Sequence, residues 1–196
     1  MIKLNKLKGK DMSFIVIEGD NGTGKDTLAL NIQEKFGYQV ITNEDYMKAL
    51  IRQAKQHKGK DKIKYFLQYE EISSDIIKNK NSNIVMVRYW ISTLAAAYAD
   101  NICSYEEICK LEDDICSKFY KPDIIICLWC DFEIRIKRIE QRASKDFDDI
   151  TRERNKRYKW VLNQYEIKTK SKWINIDTTN KNEEEVLEEF SKYVVR

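Results

Sequence analysis

A nine-residue segment near the start of the chain combines glycine, lysine and threonine in a spacing suited to phosphate. It reads Gly19-Asp-Asn-Gly-Thr-Gly-Lys-Asp-Thr27 and follows an apolar run at 14–17. Glycines let the backbone curl so that successive N–H groups point at one anion, and a helix beginning near the last glycine adds its positive end. The lysine supplies a mobile charge for the β- and γ-phosphate oxygens. The segment predicts a binding loop for ATP, formed by Gly19, Asn21, Gly22, Thr23, Gly24, Lys25, Asp26 and Thr27.

The residue after the lysine is unusual for such a loop. A Ser or Thr hydroxyl commonly binds Mg²⁺ at this position, whereas this chain has Asp26 followed by Thr27. A carboxylate beside bound phosphates is unfavourable unless a cation lies between them. Two hypotheses stay open: Asp26 is a ligand of Mg²⁺, directly or through water, or Asp26 points away and Thr27 supplies the ligand.

Apolar runs and helical patterns alternate along the chain, and they predict the framework that positions this loop. Strands are predicted at 14–17, 39–42, 84–87, 123–130 and 173–177, with helices between them and after the last. Strands separated by helices indicate parallel pairing with helices on both faces. The predicted fold is therefore a P-loop NTPase-type three-layer α/β/α arrangement, with a five-stranded, mainly parallel sheet and a helical lid.

Length and composition narrow the class of protein. The 196 residues suit one domain, with 1–12 as an N-terminal extension and about 138–152 as the lid. A net charge of +3 is a weak signal for nucleic acid, and no apolar run is long enough to cross a bilayer. Five cysteines without a framework pattern favour reduced thiols. We expect a cytoplasmic protein whose partner is a small molecule rather than nucleic acid or a membrane.

Several motifs occur in an order that points to one family. The opening apolar strand continues through Glu18 into the phosphate loop, and later segments read Val87-Arg-Tyr-Trp-Ile-Ser92 and Pro122-Asp-Ile-Ile-Ile126. An arginine-rich helix and Ile176-Asp-Thr-Thr179 follow. Together they resemble the thymidylate kinase family, a branch of the nucleoside-monophosphate kinases. The resemblance implies transfer of the γ-phosphoryl group of MgATP to a (deoxy)nucleoside monophosphate, with dTMP the default acceptor. It also implies a homodimer, for which the helix from Ile91 to Cys103 is a candidate interface.

The resemblance assigns roles to individual residues of the acceptor half. Arg88 would hold the acceptor phosphate, as an arginine fork does well. Tyr89 and Ser92 would line the acceptor pocket, and Glu18 would lie beside it. Tyr69 occupies the position at which the family offers an arginine to the base and phosphate.

Arginines on the predicted lid helix form a further group. Arg135, Arg138 and Arg142 are spaced i, i+3 and i+7 and so share one helical face. Such a cluster needs anions to neutralise it, and a transferred phosphate suits it; the other interpretation is a solvated face paired with nearby carboxylates. The predicted catalytic residues are Lys25, Arg88, Arg138 and Arg142.

Departures from the family concentrate where the acceptor would bind. Val87 replaces the Asp before Arg-Tyr, Asn21 replaces an Asp of the loop, and Ala97 lies where the family has a Gln that reads thymine. Two other functions stay open: a kinase for a different small acceptor, such as a nucleoside, or a nucleotide-binding protein with little catalysis. A regulatory GTPase is disfavoured because the chain has no Asn-Lys-x-Asp motif.

Overall fold

The computed structural model describes residues 13–41, 45–141 and 151–194. Within these ranges the chain forms five strands: β1 (Phe14–Gly19), β2 (Gln39–Val40), β3 (Ile84–Val87), β4 (Ile124–Trp129) and β5 (Lys172–Asp177). They make one sheet in the order β2-β3-β1-β4-β5, and every neighbouring pair is parallel. The predicted sheet is confirmed.

Helices connect the strands. They are α1 (Lys25–Phe36), α2 (Asp45–Gln56), α3 (Gly59–Lys78), α4 (Trp90–Ala99), α5 (Tyr105–Asp114), α6 (Phe132–Glu140), α7 (Arg152–Lys168) and α8 (Glu183–Val194), with a short 3-10 turn at Cys116–Lys118. Most of the predicted lid, including Arg142, falls on residues 142–150, which lie outside the described part of the chain. The lid and the role of Arg142 therefore stay predictions.

Alternation along β1 explains the three layers. Phe14 and Val16 join the apolar cluster formed with α3, α4 and α7, whereas Ile15 and Ile17 join the cluster formed with α1 and α8. Successive side chains of a strand point to opposite faces, so a continuous apolar run is buried on both sides, as is typical of parallel sheets. β4 has the same pattern and is buried on both faces.

The helix considered as a subunit interface belongs to the core. Most side chains of α4 are buried, including Trp90 and Leu94, and the helix packs against α3 and α7. It therefore offers little surface to a second copy, and the homodimer that the resemblance implies stays a prediction. In the described ranges, no helix is both long and apolar enough to span a membrane.

The parallel sheet brings the phosphate loop next to Arg88. β1 and β3 are neighbours, Ile17 pairs with Val87, and the backbone N–H of Arg88 donates to the carbonyl of Ile17 at 3.0 Å. Both strands end at the same edge of the sheet, where folds of this type bind ligands. The candidate site is therefore at the carboxyl ends of β1 and β3.

Candidate active site

Close packing explains the glycines of the phosphate loop. Gly19 has φ 137° and Gly22 has φ 82°, both in the region that favours glycine. A Cβ on Gly19 would lie 2.5 Å from the carbonyl oxygen of Leu128, and one on Gly22 would lie 3.0 Å from that of Arg135. The loop is held between β4 and α6, and neither position has room for a side chain.

The Lys25 side chain lies inside this loop. It is 5% exposed, and its Nζ donates to the carbonyl oxygen of Asp20 at 2.7 Å. Burial lowers the pKa of Lys25 well below its ordinary value, and nearby Arg88 lowers it further. An anion such as a phosphate would relieve both effects by restoring charge balance around the ammonium group.

A buried ion-pair network supports the loop, and sequence reasoning did not find it. Asp20 is 3% exposed, with its Oδ2 2.9 Å from Arg135 Nη2 and its Oδ1 3.3 Å from Arg154 Nη1. Burial acts to raise the pKa of Asp20, but the two arginines outweigh it and hold that pKa below its usual range. Arg135 also donates from Nε to the carbonyl of Asn21 at 2.8 Å. Arg135 is thus neutralised by a protein carboxylate and supports the loop from α6.

Arg88 has an unusual backbone conformation for a residue with a side chain. Its φ is 63°, in the left-handed region, and such strain is typical of functional positions. Its Nη2 donates to Asn21 Oδ1 at 2.6 Å and its Nη1 to the hydroxyl of Tyr158 at 3.2 Å. Asn21 of the phosphate loop and Tyr158 of α7 therefore hold the Arg88 side chain in place beside the loop.

A cavity with a volume of about 530 Å³ adjoins the loop and is called the larger cavity. The cavity brings together predicted residues from three helices and the end of β3, namely Lys25, Tyr69, Arg88 and Ser92, in addition to other predicted residues of the phosphate loop. Arg154 also lines it, and its Nε lies 2.6 Å from Asp100 Oδ1. The sequence did not indicate Arg154 as a site residue, because its spacing from the arginines of α6 carries no information about the cavity.

Two predicted pocket residues do not line this cavity. The Tyr89 side chain is 1% exposed and packs edge-on against Phe14, with ring centroids 5.7 Å apart. Glu18 is fully buried; it accepts hydrogen bonds from the hydroxyl of Ser92 and from the backbone N–H of Tyr89. The structure does not bring these two side chains to the cavity wall, and their roles in the acceptor pocket stay predictions. Glu18 positions Ser92, because the hydroxyl of Ser92, which lines the cavity, donates to its carboxylate.

The carboxyl group of Glu18 should make stability depend on pH. Burial raises its pKa from 4.5 to about 7, although Ser92 and Arg88 oppose the shift. A raised carboxyl pKa contributes stability that is present below the unfolded value and is lost as pH rises towards the folded value. Between about pH 5 and about pH 8, we expect Glu18 to lower the free energy of unfolding by about 2 kcal/mol.

Chemical denaturation of Glu18→Gln across this pH range measures the effect. As pH rises, the free energy of unfolding of the wild type should fall relative to that of the variant, because only the wild type has a carboxyl group to ionise at position 18. Glu34→Gln is the matched control, because Glu34 is exposed on α1. Parallel pH profiles for wild type and Glu18→Gln would contradict the assignment.

A second cavity of about 320 Å³ shares Gly22 and Gly24 with the first but has different walls. It is lined by Thr27 of α1, Arg138 of α6 and residues 181–183 before and within α8. Arg138 donates from Nη2 to the carbonyl of Thr178 at 2.8 Å and from Nη1 to its hydroxyl at 3.1 Å. Arg138 is therefore separated from Arg88 by the phosphate loop, and the structure does not bring these two predicted catalytic residues together.

The two candidate metal ligands face different cavities. Asp26 is exposed and lines the larger cavity together with Val87, whereas Thr27 lines the smaller one. Asp26 forms no ion pair with any described residue. In the same part of the chain, no group of three or more side chains could hold a metal ion alone. These features fit Mg²⁺, which is usually bound by one or two carboxylates together with substrate phosphates and water.

Comparison with known proteins identifies the family. The family model described as thymidylate kinase matches residues 17–190. This range includes the phosphate loop, which lines both cavities, together with β3 and the helices around the cavities. The chain belongs to the thymidylate kinase family. It is an enzyme of the nucleoside-monophosphate kinase type, and kinases of this family generally use ATP and Mg²⁺ and act on small nucleotide substrates.

Individual relatives cover most of the chain. A probable thymidylate kinase of Sulfurisphaera tokodaii is 30% identical over 183 residues, covering 87% of this chain and 90% of the relative. A cytidylate kinase of Mesomycoplasma hyopneumoniae is 26% identical and covers 93% of each. Among solved structures, deoxyadenosine kinase from M. mycoides with dCMP and dCDP is similar in fold. Its TM-score is 0.70 at 20% identity, over 91% of this chain and 97% of that one.

Proposed function

We propose that this member of the thymidylate kinase family transfers the γ-phosphoryl group of MgATP to the phosphate of a nucleoside monophosphate. The observation that supports this most strongly is the position of Arg88 and Arg154, which line the larger cavity beside the buried Lys25. Guanidinium groups at the mouth of a phosphate loop suit an acceptor that already carries a phosphate. The relatives named thymidylate kinase and cytidylate kinase support the same class of acceptor.

Each residue of the site has a role in this reaction. The loop amides and Lys25 would contact the β- and γ-phosphates, where charge must be stabilised during transfer. Arg88 would orient the acceptor phosphate towards the loop. That phosphate is already anionic and needs no strong general base. This agrees with the burial of Glu18, whose carboxyl group is engaged by Ser92 and Tyr89 rather than the cavity.

Asp26 would hold Mg²⁺ at the entrance to α1. When bound, Mg²⁺ neutralises phosphate charge and links the phosphates to the protein. Asp26 and Val87 line the same cavity. This supports the hypothesis that the Asp26 carboxylate takes the place of the Asp that the family has at the position of Val87. The smaller cavity, with Arg138 at its wall, would hold the base of ATP. Arg138 would then serve the donor's base end.

A second candidate is a nucleoside kinase, in which the acceptor is a hydroxyl group. Asp26 favours it, because an exposed carboxylate on the cavity wall is where a general base for an alcohol would be needed. A nucleoside would leave Arg88 without an anionic partner from the acceptor. The monophosphate is therefore the better supported acceptor.

The test is ADP formation with MgATP and purified protein, against dTMP, dCMP, dAMP, dUMP, the matching nucleosides, and no acceptor. Turnover that requires a monophosphate is the expected result. Turnover with nucleosides alone would overturn the proposal in favour of the second candidate. ATP binding without turnover for any acceptor would favour a nucleotide-binding protein with little catalysis.

A further inference from the structure

Apolar side chains of two helices that pack together, α3 and α4, line part of the larger cavity, and this part is called the slot. One wall is Phe66 and Ile63 of α3, and the other includes Ala96 and Ala97 of α4. Alanines leave space beside an aromatic face, and a ring that stacks there would be largely removed from water. An acceptor held by Arg88 at its phosphate would extend its base towards this slot.

Helical spacing puts one carboxyl group at the edge of the slot. Glu70 follows Phe66 by four residues on α3, and Thr93 precedes Ala97 by four on α4, so each pair shares one helix face. All four residues line the cavity. Thr93 Oγ1 donates to Glu70 Oε1 at 2.6 Å, which joins the two walls at this edge.

The second oxygen of Glu70 is left without a partner. Glu70 is 3% exposed, and its buried Oε2 accepts or donates no hydrogen bond among the described residues. Burial raises the pKa of Glu70 well above its ordinary value, although the bond from Thr93 opposes the shift. A buried polar atom without a partner is unfavourable, and a ligand that supplies the partner gains affinity and specificity.

We propose that Glu70 reads the base of the acceptor nucleotide and selects cytosine and adenine, which carry an amino group at C4 or C6, over thymine and uracil, which carry a carbonyl at C4. This inference rests on the proposed function for the placement of the acceptor. An amino group can donate to Oε2 whether Glu70 is neutral or ionised. A carbonyl such as O4 of thymine can be satisfied only by the neutral form, and the hydroxyl of Thr93 already donates its one hydrogen bond to Glu70 Oε1.

The test compares kcat/KM for dCMP, dAMP, dTMP and dUMP in wild type and Glu70→Gln. Wild type should prefer dCMP or dAMP over dTMP by about 10-fold or more, since one well-placed hydrogen bond is worth about that factor. Glutamine has the same size and carries an amide N–H that can face O4. Glu70→Gln should therefore reduce the preference about 10-fold by improving dTMP and dUMP. Glu71→Gln, exposed on the same helix, is the matched control.

Calorimetric titration of the same four nucleotides separates this inference from the proposed function. Selective binding of dCMP or dAMP without phosphoryl transfer would overturn the reaction and support base selection by Glu70. Preference of the wild type for dTMP or dUMP would overturn the inference and leave the kinase activity intact. An unchanged preference in a folded Glu70→Gln variant would also overturn it.

Discussion

Replacing Lys25 with methionine is expected to lower kcat/KM for phosphoryl transfer by about 10²–10³-fold, the cost of removing one preorganised donor to developing charge. The ammonium group is buried within the loop, and its hydrogen bond to the carbonyl of Asp20 holds it there. Steady-state kinetics with MgATP and the acceptor that supports turnover in the wild type measure the loss.

The same substitution should leave the free protein at least as stable as wild type. Burial disfavours the charged form of Lys25, and methionine fills a similar volume without a charge to desolvate. Thermal unfolding without nucleotide measures this. Lys35→Met, exposed on the last turn of α1, is the control. A Lys25→Met protein that is folded and retains more than about a tenth of the wild-type kcat/KM would contradict the role of Lys25 in transfer.

Replacing Asp26 with alanine is expected to lower kcat by about 10²-fold or more and to raise the Mg²⁺ concentration needed for ATP binding. Asp26, at the start of α1, forms no ion pair among the described residues, so its removal would take away the carboxylate that we assign to Mg²⁺ on the side of the larger cavity. Calorimetric titration with ATP at a series of Mg²⁺ concentrations measures binding independently of turnover.

Thr27→Val separates the two hypotheses for the metal ligand. Thr27 lines the smaller cavity, and we expect its removal to change the Mg²⁺ dependence of ATP binding less than Asp26→Ala does. Asp26→Ser restores the hydroxyl that is common at this position, so it should recover part of the activity. If Asp26→Ala left the Mg²⁺ dependence unchanged while Thr27→Val altered it, Thr27 would be the ligand.

Local patterns explain what could be predicted from the sequence. The phosphate loop was found because its glycines and lysine lie within nine residues, and the strands because each is a short apolar run. Gly37 ends α1 with φ 72° and an N–H that donates to the carbonyl of Gln33, and a glycine at a helix end is a signal visible in the sequence. Each of these features depends on residues close together in the chain.

Long-range contacts explain what could not be predicted. Asp20 meets Arg135 and Arg154 across more than a hundred residues, and nothing in their spacing indicates the pairing. Arg135 and Arg138 were predicted to share an anion because they share a helix face. In the structure Arg135 instead reaches Asp20, whereas Arg138 bonds to Thr178. Side-chain length and local partners decide this, and neither is visible in helical spacing.

The separation of the two cavities has a consequence for the order of events and for inhibitor design. Among the described residues, the two cavities share Gly22 and Gly24 of the loop, and their other lining residues differ. Under the proposed function, donor and acceptor would occupy the enzyme at the same time, and the phosphoryl group would pass directly between them with no covalent enzyme intermediate. A single compound with two nucleosides joined by a chain of phosphates could fill both cavities. Because its second half would bind as an intramolecular partner of the first, such a bisubstrate compound should bind more tightly than either nucleotide alone.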